Sequence, residues 1–589
     1  MPFGPHTPLT DFKASKEAAA VLERHLPGIL DMPDFTVLPF IPLGAMLGHN
    51  PPLGETPAAM DALWQDLASL PSDPPLRKVQ PAPTRPVPDY DSPEALRASA
   101  TISEVSDTEQ WGVAEVVLRG PDHGNPFIDV ELDAVFRHAE APEVRVGGFY
   151  DGAGTYRIRF QPPHPGRWTF ETRSNARSLD GLTGSLQVSA SSAGNRGPVH
   201  VAGTYHFAYQ DGTPYLPLGT TAYAWAHQTP QLQAATLRTL EEAPFTKIRM
   251  CVFPKSYFFN ADEPPLFPYV RNDDGSFDFA RFDVAFFQHL DHSVEQLARI
   301  GVEADVILFH CYDRWGFSAM PAWADDLFVT YVVRRLAAHR NVWWSLANEY
   351  DFLPHKTEED WERVAQVIGR EDHAGHLTSI HNGVTFYDHT RPWITHCSIQ
   401  RVDTYRTAEN TTEWRETYGK PIVIDECGYE GDIDAGWGNL SARELVRRCW
   451  EGAIRGGYVN HGETYYNDEE ILWWSKGGTL HGESAERIGF LARITAEIPS
   501  GRIEALPSSW DMVCGGDDDH RIIYFGNGCS TFRWLQLPPG TQWEVDLIDT
   551  WNMTVETQPG LAEGRTKITL PGREYMAVRL RRVKAATNG

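Results

Sequence analysis

The sequence predicts a multidomain protein in which a (β/α)8 barrel, the TIM-barrel architecture, is flanked by an N-terminal β-sandwich and a smaller C-terminal β-sandwich. Strand-like and helix-like runs alternate between residues 203 and 501, which is typical of successive βαβ units. Short runs with a period of two lie on both sides of that region, as in β-sandwiches. A chain of 589 residues is also too long for one hydrophobic core.

Composition and periodicity divide the chain into four segments: 1–98, an extension; 99–202, the first β-sandwich; 203–501, the barrel; and 502–589, the second β-sandwich. The extension has helical patterns at Lys16–His25 and 60–70, and a Pro-rich linker at 81–88. Two roles stay open for it. It either packs on the other domains or serves as an oligomerisation arm, which would make the protein a homo-oligomer.

Eight strand candidates follow one another in the barrel segment: 215–221, 246–253, 302–310, 342–348, 377–381, 393–398, 421–425 and 457–461. Helical patterns separate them. One has apolar residues at spacings of three and four over 287–297 and stops at Gly301, and others begin with capping-box patterns at Thr357 and Ser441. Eight strands with intervening helices predict a closed α/β barrel.

Charge and composition limit the function and the compartment. A net charge of −27 and a pI near 5.2 argue against binding to nucleic acid or to an anionic membrane. The apolar stretch 35–47 is short and interrupted by prolines, and residues 1–20 lack the pattern of a signal peptide. The seven cysteines show no CxxC spacing, which fits free thiols in a reducing compartment. We therefore expect a cytoplasmic protein.

Two strand-like runs end in carboxylates. The aromatic run 341–347 leads into Asn348 and Glu349, and the apolar run 421–424 leads into Asp425 and Glu426. In an α/β barrel the carboxyl ends of the strands form the catalytic face. Glycosidic bonds are cleaved by a pair of carboxyl groups, one protonated and one ionised. These runs therefore predict a glycosidase.

The two carboxylates are assigned different roles. Glu349 is the predicted acid/base, because its apolar and aromatic surroundings should raise its pKa. Glu426 is the predicted nucleophile and must be ionised, so a cation should hold it; Arg249, near the end of the second strand, is our candidate. Rivals of Glu426 lie close by in the sequence: Asp425, Glu430 and Asp432.

Polar and aromatic residues near the ends of other strands are candidates for binding the sugar: Trp225, His310, Trp315, His381, His396, Glu463, Tyr465 and Trp474. Trp474 is the predicted stacking platform, with Trp473 as the alternative. The histidines would also suit a metal, but nothing in the sequence sets their geometry and the proposed chemistry needs none. We predict neither a metal nor a cofactor.

The pair Asn348-Glu349 after the fourth strand, matched by Glu426 at the seventh, resembles the clan A retaining glycoside hydrolases. The motifs W-W-S-L-A-N-E-Y and P-I-V-I-D-E-C-G-Y-E, between two β domains, resemble bacterial glycoside hydrolases of uncharacterised families. This resemblance covers about residues 100–585. It implies that Asn348 binds the hydroxyl next to the anomeric carbon and that Arg249 supports the nucleophile. It also implies an aromatic side chain under the sugar near the eighth strand.

We therefore predict a retaining glycoside hydrolase with a carbohydrate substrate. The long loops at 253–279 and 462–480 favour exo action on a glycoside or short oligosaccharide. Two alternatives stay open: a transglycosylase that uses the same site, and a catalytically silent glycan-binding protein. A metal-dependent hydrolase is a third reading, which a chelator would test.

Overall fold

A ring of parallel strands lies at the centre of the protein. The computed structural model describes residues 3–49, 56–70, 82–83, 87, 90–403, 405–467 and 472–583. The parallel strands of the ring are β1 Gly219–Thr221, β2 Lys247–Cys251, β3 Glu303–His310, β4 Val342–Asn348, β5 Thr378–Ser379, β6 Cys397–Gln400, β7 Ile422–Glu426 and β8 Tyr458–Val459.

The pairings of these eight strands form a closed ring. Strands β1 to β5 pair in chain order, and β6 to β8 form a second parallel sheet. Single parallel bridges join His381 to Ser398 and Thr220 to His461, which closes both gaps between the two sheets. The centre of the molecule is therefore a barrel-like α/β core. Every residue of β4 is buried, as its continuous apolar run predicts.

Helices alternate with these strands: Pro230–Glu242, Val284–Arg299, Ala322–Leu336, Glu358–Glu371, Thr411–Tyr418, Ala442–Ile454 and, after β8, Trp473–Lys476 and Ser484–Ala496. The helix Val284–Arg299 buries Phe287 and Leu297, at the predicted spacings. Thr357 and Asp360 form the predicted capping box. The Ser441 side chain accepts the Glu444 backbone N–H at the start of Ala442–Ile454.

Two predicted strands are displaced. The first was expected at 215–221, but Pro214–Tyr215 belongs to another sheet and β1 begins at Gly219. Pro217, which has no backbone N–H to donate to a ladder, separates the two pieces. The sixth was expected at 393–398 and begins at Cys397, because a turn in which Ile394 N donates to Arg391 O precedes it.

A small antiparallel sheet covers the amino-terminal ends of the core strands. Its strands are Val199–Ala202, His206–Tyr209 and Pro214–Tyr215. The Phe207 ring lies 5.2 Å from that of Trp343 at the start of β4 and 5.5 Å from that of Tyr458 at the start of β8. This sheet therefore closes the end of the core opposite to the carboxyl ends of its strands.

The β domain before the core is one curled sheet, with strands in the order Thr101–Val105, Ala114–Arg119, Thr155–Phe160, Val144–Tyr150, Leu132–Arg137, Gly166–Ser174, Thr183–Ser189 and Thr108–Glu109. Phe136 and Phe160 lie on strands that do not pair, yet their rings stack with centroids 4.3 Å apart. The sheet therefore folds over its own hydrophobic core, which includes the buried Trp168.

The β domain after the core has an antiparallel sheet in the order Glu504–Ala505, Val513–Gly516, His520–Tyr524, Met576–Arg582, Trp543–Asp549 and Thr554–Thr557. A separate antiparallel pair consists of Phe532–Gln536 and Arg565–Thr569. The predicted strands near 522, 543, 566 and 576 all correspond to observed ones. Leu535, Trp543 and Ile568 share one core between the two sheets.

The N-terminal extension contains the helices Leu9–Ala14, Lys16–His25, Asp34–Val37, Leu43–His49 and Pro57–Ala68. They share a small core that includes Leu22 and Leu63. The buried Phe40 connects the extension to the barrel-like core. Most of the predicted linker at 81–88 lies outside the described residues. Among the described helices, we find none that is long and apolar enough to cross a membrane.

Candidate active site

Glu349 and Glu426 lie at the same end of the parallel ring. Glu349 directly follows β4, and Glu426 is the last residue of β7. Both are almost fully buried, with 6% and 7% of their surfaces exposed. Since parallel strands point the same way, both carboxyl groups lie at the carboxyl ends of the ring, away from the sheet that covers its other end.

One hydrogen-bonded chain connects the two carboxyl groups. The Asn348 amide donates to Glu349 over 3.1 Å, from Nδ2 to Oε2. The Tyr223 hydroxyl, in the loop after β1, lies 3.1 Å from Asn348 Oδ1 and also donates to Glu426 Oε1. Two residues therefore separate the two carboxyl groups in this network.

Arg249 and His381 hold Glu426 in its ionised form. Arg249 Nη1 lies 3.4 Å and His381 Nε2 lies 3.1 Å from Glu426 Oε1. Burial by itself would raise the pKa of Glu426, but the hydrogen bond and charge of His381, the charge of Arg249 and the Tyr223 hydroxyl outweigh it and lower that pKa to about 2. Sequence reasoning had selected both Arg249 and His381 for this region.

Glu349 has the opposite electrostatic environment. Burial, followed by the nearby charge of Glu426, raises its pKa to about 7, against the opposing influence of Lys255 and Tyr312. Its backbone is left-handed, with φ of 51° and ψ of 56°. Such a conformation costs a non-glycine residue about 1–3 kcal/mol and is common at functional sites. The fold therefore holds a carboxyl group with a raised pKa, on a strained backbone, beside a carboxyl group with a lowered pKa.

The three rivals of Glu426 have other partners. Asp425 accepts from Lys247 Nζ at 2.9 Å and from Ser398 and Asn460, all inside the ring. Glu430 accepts the backbone N–H groups of residues 483 and 484, at the start of the helix Ser484–Ala496. Asp432 is exposed. These contacts hold the barrel and its helices together and do not reach Glu349.

Trp474 lies in an aromatic group beside this network. Its ring centroid is 5.6 Å from that of Tyr223, and the same group contains Tyr257, Phe259, Tyr429 and Trp437. Trp473 instead points to the first strand, where its Nε1 donates to Thr220 Oγ1 over 2.8 Å. Of the two tryptophans, Trp474 is therefore the one beside the carboxyl groups.

The other predicted sugar-binding residues have partners of their own. His310 Nε2 is 3.1 Å from Phe253 O, and burial lowers its pKa to about 3. The Glu463 carboxyl accepts the backbone N–H groups of residues 481 and 482, and burial raises its pKa to about 7. Tyr465 donates to Glu430, and Trp315 donates to Glu263.

Two predicted residues are not brought to the carboxyl groups. His396 packs against Trp343 and Phe207 at the opposite end of the ring. Trp225, in the segment after β1, is fully buried, and its Nε1 donates to Gln233 O. His396 precedes β6 because that strand begins later than predicted, so the displaced boundary explains its position.

The selection from sequence missed Lys255, Tyr257 and Tyr429. Lys255 and Tyr257 follow β2, and Tyr429 follows β7, so the same rule of residues beyond strand ends would have included them. Among the described residues, we find no group of three or more His, Cys, Asp or Glu side chains arranged to hold a metal ion.

Models of known protein families match three parts of the chain. A family described as "Apiosidase-like, catalytic domain" matches residues 202–510, and two domains of unknown function, DUF5060 and DUF5605, match 107–175 and 510–581. No curated protein matches the chain.

Two solved structures from Bacteroides vulgatus are similar. A crystal structure described as a "putative glycoside hydrolase" has 38% identity and a TM-score of 0.77, covering 81% of this chain and 100% of its own. A glycoside hydrolase of family 5 has 14% identity and a TM-score of 0.53, covering 67% and 94%, and shows a shared fold. The catalytic-domain match spans more than half of the residues of this chain. The chain therefore belongs to the apiosidase-like family of glycoside hydrolases.

Proposed function

We propose that the protein is a retaining glycoside hydrolase in which Glu349 is the acid/base and Glu426 is the nucleophile. One observation carries the proposal. Two buried carboxyl groups in one hydrogen-bonded network have pKa values displaced in opposite directions, to about 7 and about 2. Near neutral pH one donates a proton while the other attacks, as double displacement requires.

The reaction proceeds in two steps. Glu349 protonates the glycosidic oxygen while Glu426 attacks the anomeric carbon, so the leaving group departs as an alcohol and a covalent glycosyl-enzyme forms. Glu349, now ionised, then takes a proton from water, which attacks the same carbon and releases Glu426. This route needs carboxyl groups about 5 Å apart. The two carboxyl groups share one hydrogen-bonded network and the charge of Glu426 raises the pKa of Glu349, which supports their closeness.

The remaining architecture follows the same proposal. The closed pairing of β1 to β8 supports a (β/α)8 barrel over residues 203–501, between β-sandwiches at 99–202 and 502–589. Residues 1–98 form the extension. Its Phe40 ring lies 5.2 Å from that of Tyr312, whose side chain interacts with Glu349. An extension packed this close to the acid/base supports a site closed on one side, and hence exo action.

The substrate is a carbohydrate with its sugar seated between the carboxyl groups and Trp474. Aromatic faces suit the apolar faces of sugars, and clustered rings are typical of such sites. The family description makes apiosides the first substrates to test. Asn348, whose amide contacts Glu349, is placed to bind the hydroxyl next to the anomeric carbon.

A panel of nitrophenyl glycosides, both pyranosides and furanosides and including β-D-apiofuranoside, tests the proposal. Glu349→Gln and Glu426→Gln should each lower kcat/KM by about 10²–10⁴-fold, while Asp432→Asn, which alters an exposed carboxylate, should not. The first product seen by NMR should keep the anomeric configuration of the substrate. An inverted product would refute the mechanism, and sugar binding without hydrolysis by the parent protein would favour the silent alternative.

A further inference from the structure

Lys255 occupies a cage of aromatic rings beside the two carboxyl groups. It lies in the segment after β2 and is 1% exposed. Its Nζ is 3.6 Å from the centroid of the Tyr223 ring, 4.0 Å from Tyr312, 4.5 Å from Tyr257 and 5.2 Å from Trp474. The ring faces stabilise the ammonium charge, but a ring face has no lone pair that could accept a hydrogen bond from its N–H groups.

In the described part of the chain, we find no ion pair or hydrogen bond from Lys255 Nζ. The other buried lysines differ. Lys247 donates to Asp305 and Asp425, and Lys356 donates to Asp325. Lys255 Nζ is not among the fully enclosed polar atoms without a partner, so a molecule from outside the chain can reach it. Because a nearly buried cation is unfavourable without acceptors, we expect such a molecule to complete the site.

The position of the cage shows where that acceptor would lie. Tyr223 donates to Glu426, and Tyr312 interacts with Glu349, so the cage includes the two tyrosines that contact the two carboxyl groups. Both carboxylates also act electrostatically on Lys255. The ammonium group therefore lies close to both Glu349 and Glu426.

Charged side chains of both signs surround this site. The cations Lys247, Arg249 and Lys255 lie with the anions Asp305, Asp425 and Glu426, and His381 also contacts Glu426. Burial lowers the pKa of Lys255, and the nearby groups Cys251, Glu349 and Glu426 oppose that change. A neutral acceptor adds no further charge to this site, and a sugar hydroxyl meets that requirement.

We propose that Lys255 is a specificity-determining residue that donates hydrogen bonds to a hydroxyl oxygen of the sugar bound between Glu349 and Glu426. The proposal rests on the glycosidase function proposed above.

The test combines a variant with altered sugars. Lys255→Met keeps most of the side-chain volume but removes the donors. With the nitrophenyl glycoside that the parent enzyme hydrolyses fastest, it should lower kcat/KM by about 10- to 100-fold, chiefly through KM. Thermal unfolding should be unchanged or shifted upward, because the variant no longer buries an ammonium group without acceptors. Lys476→Met, which removes a nearby charge outside the cage, is the matched control.

Monodeoxy versions of that glycoside then locate the hydroxyl. Removing one particular hydroxyl should lower kcat/KM of the parent enzyme by a similar factor and leave kcat/KM of Lys255→Met unchanged, because both changes remove the same hydrogen bond. Calorimetry gives the same comparison without turnover. It measures the affinity of the parent protein and of Lys255→Met for the monosaccharide product and for its deoxy versions. The proposal is overturned if, at every deoxy position and in both assays, the combined effect of Lys255→Met and the missing hydroxyl equals the product of the two separate effects within about twofold.

The two proposals fail in different ways. Activity retained by Glu349→Gln or Glu426→Gln, together with coupling between Lys255 and one hydroxyl, would overturn the catalytic assignment and leave the Lys255 contact standing. Loss of activity in both glutamine variants without any such coupling would leave the mechanism standing and overturn the Lys255 contact.

Discussion

The pH dependence of kcat/KM tests the role of Glu349 most directly. With a pKa of about 7, about 90% of Glu349 is protonated at pH 6 and about 10% at pH 8. An acid catalyst works only when protonated, so kcat/KM should fall about tenfold between those values as pH rises. The nucleophile Glu426, with a pKa of about 2, stays ionised over this range and would limit activity only in strong acid.

The assay is the initial rate of hydrolysis of an aryl glycoside between pH 4 and 9, at substrate concentrations well below KM. Glu463 is the necessary control, because burial also raises its pKa to about 7. Glu463→Gln should keep the basic limb of the profile, whereas any residual activity of Glu349→Gln on a glycoside with a good leaving group should lack it. A limb that disappears in Glu463→Gln, or a flat profile from pH 6 to 9, would refute the assignment.

Three further predictions concern the surrounding residues and the absence of metal chemistry. Lys247→Met should destabilise the protein by about 3–5 kcal/mol in chemical denaturation, because it removes the nearer cation of the buried Asp305 and Asp425 and leaves them only the more distant Arg249; a loss below about 1 kcal/mol would contradict this. Trp474→Ala should raise KM by up to about tenfold through lost stacking and leave the pH profile in place; an unchanged KM would exclude Trp474 as the platform. A chelator should leave hydrolysis unchanged, and inhibition reversed by added metal would favour the metal-dependent reading.

Much of the fold was readable from periodicity. The strand at 342–348 and the helix at Lys16–His25 were predicted at their observed bounds, because long periodic runs depend on local residue order. The strands near 215 and 393 were misplaced because turns and a separate antiparallel sheet interrupt apolar runs. Local pattern alone does not show which sheet a short apolar run joins.

The site was predictable in the same uneven way. Glu349, Glu426 and Arg249 follow from the rule that barrel chemistry lies at the ends of strands, and the structure brings their side chains together. Lys255 follows a barrel strand and so fits the same rule, but the convergence of several rings on it appears only in the structure. His396 was misplaced because an error of a few residues at a strand boundary moves a side chain to the opposite end of the strand.

The amino-acid sequence by itself determined the number and kind of the repeating βα units, and it placed carboxylates after the fourth and seventh strands. Those features depend on residues that are neighbours along the chain. Only the tertiary structure decided that the pKa of one carboxyl group is raised to about 7 and that of the other is lowered to about 2. That difference arises because burial, Arg249, His381 and Tyr223 converge from separate strands and loops, and electrostatic energies depend on distances in space.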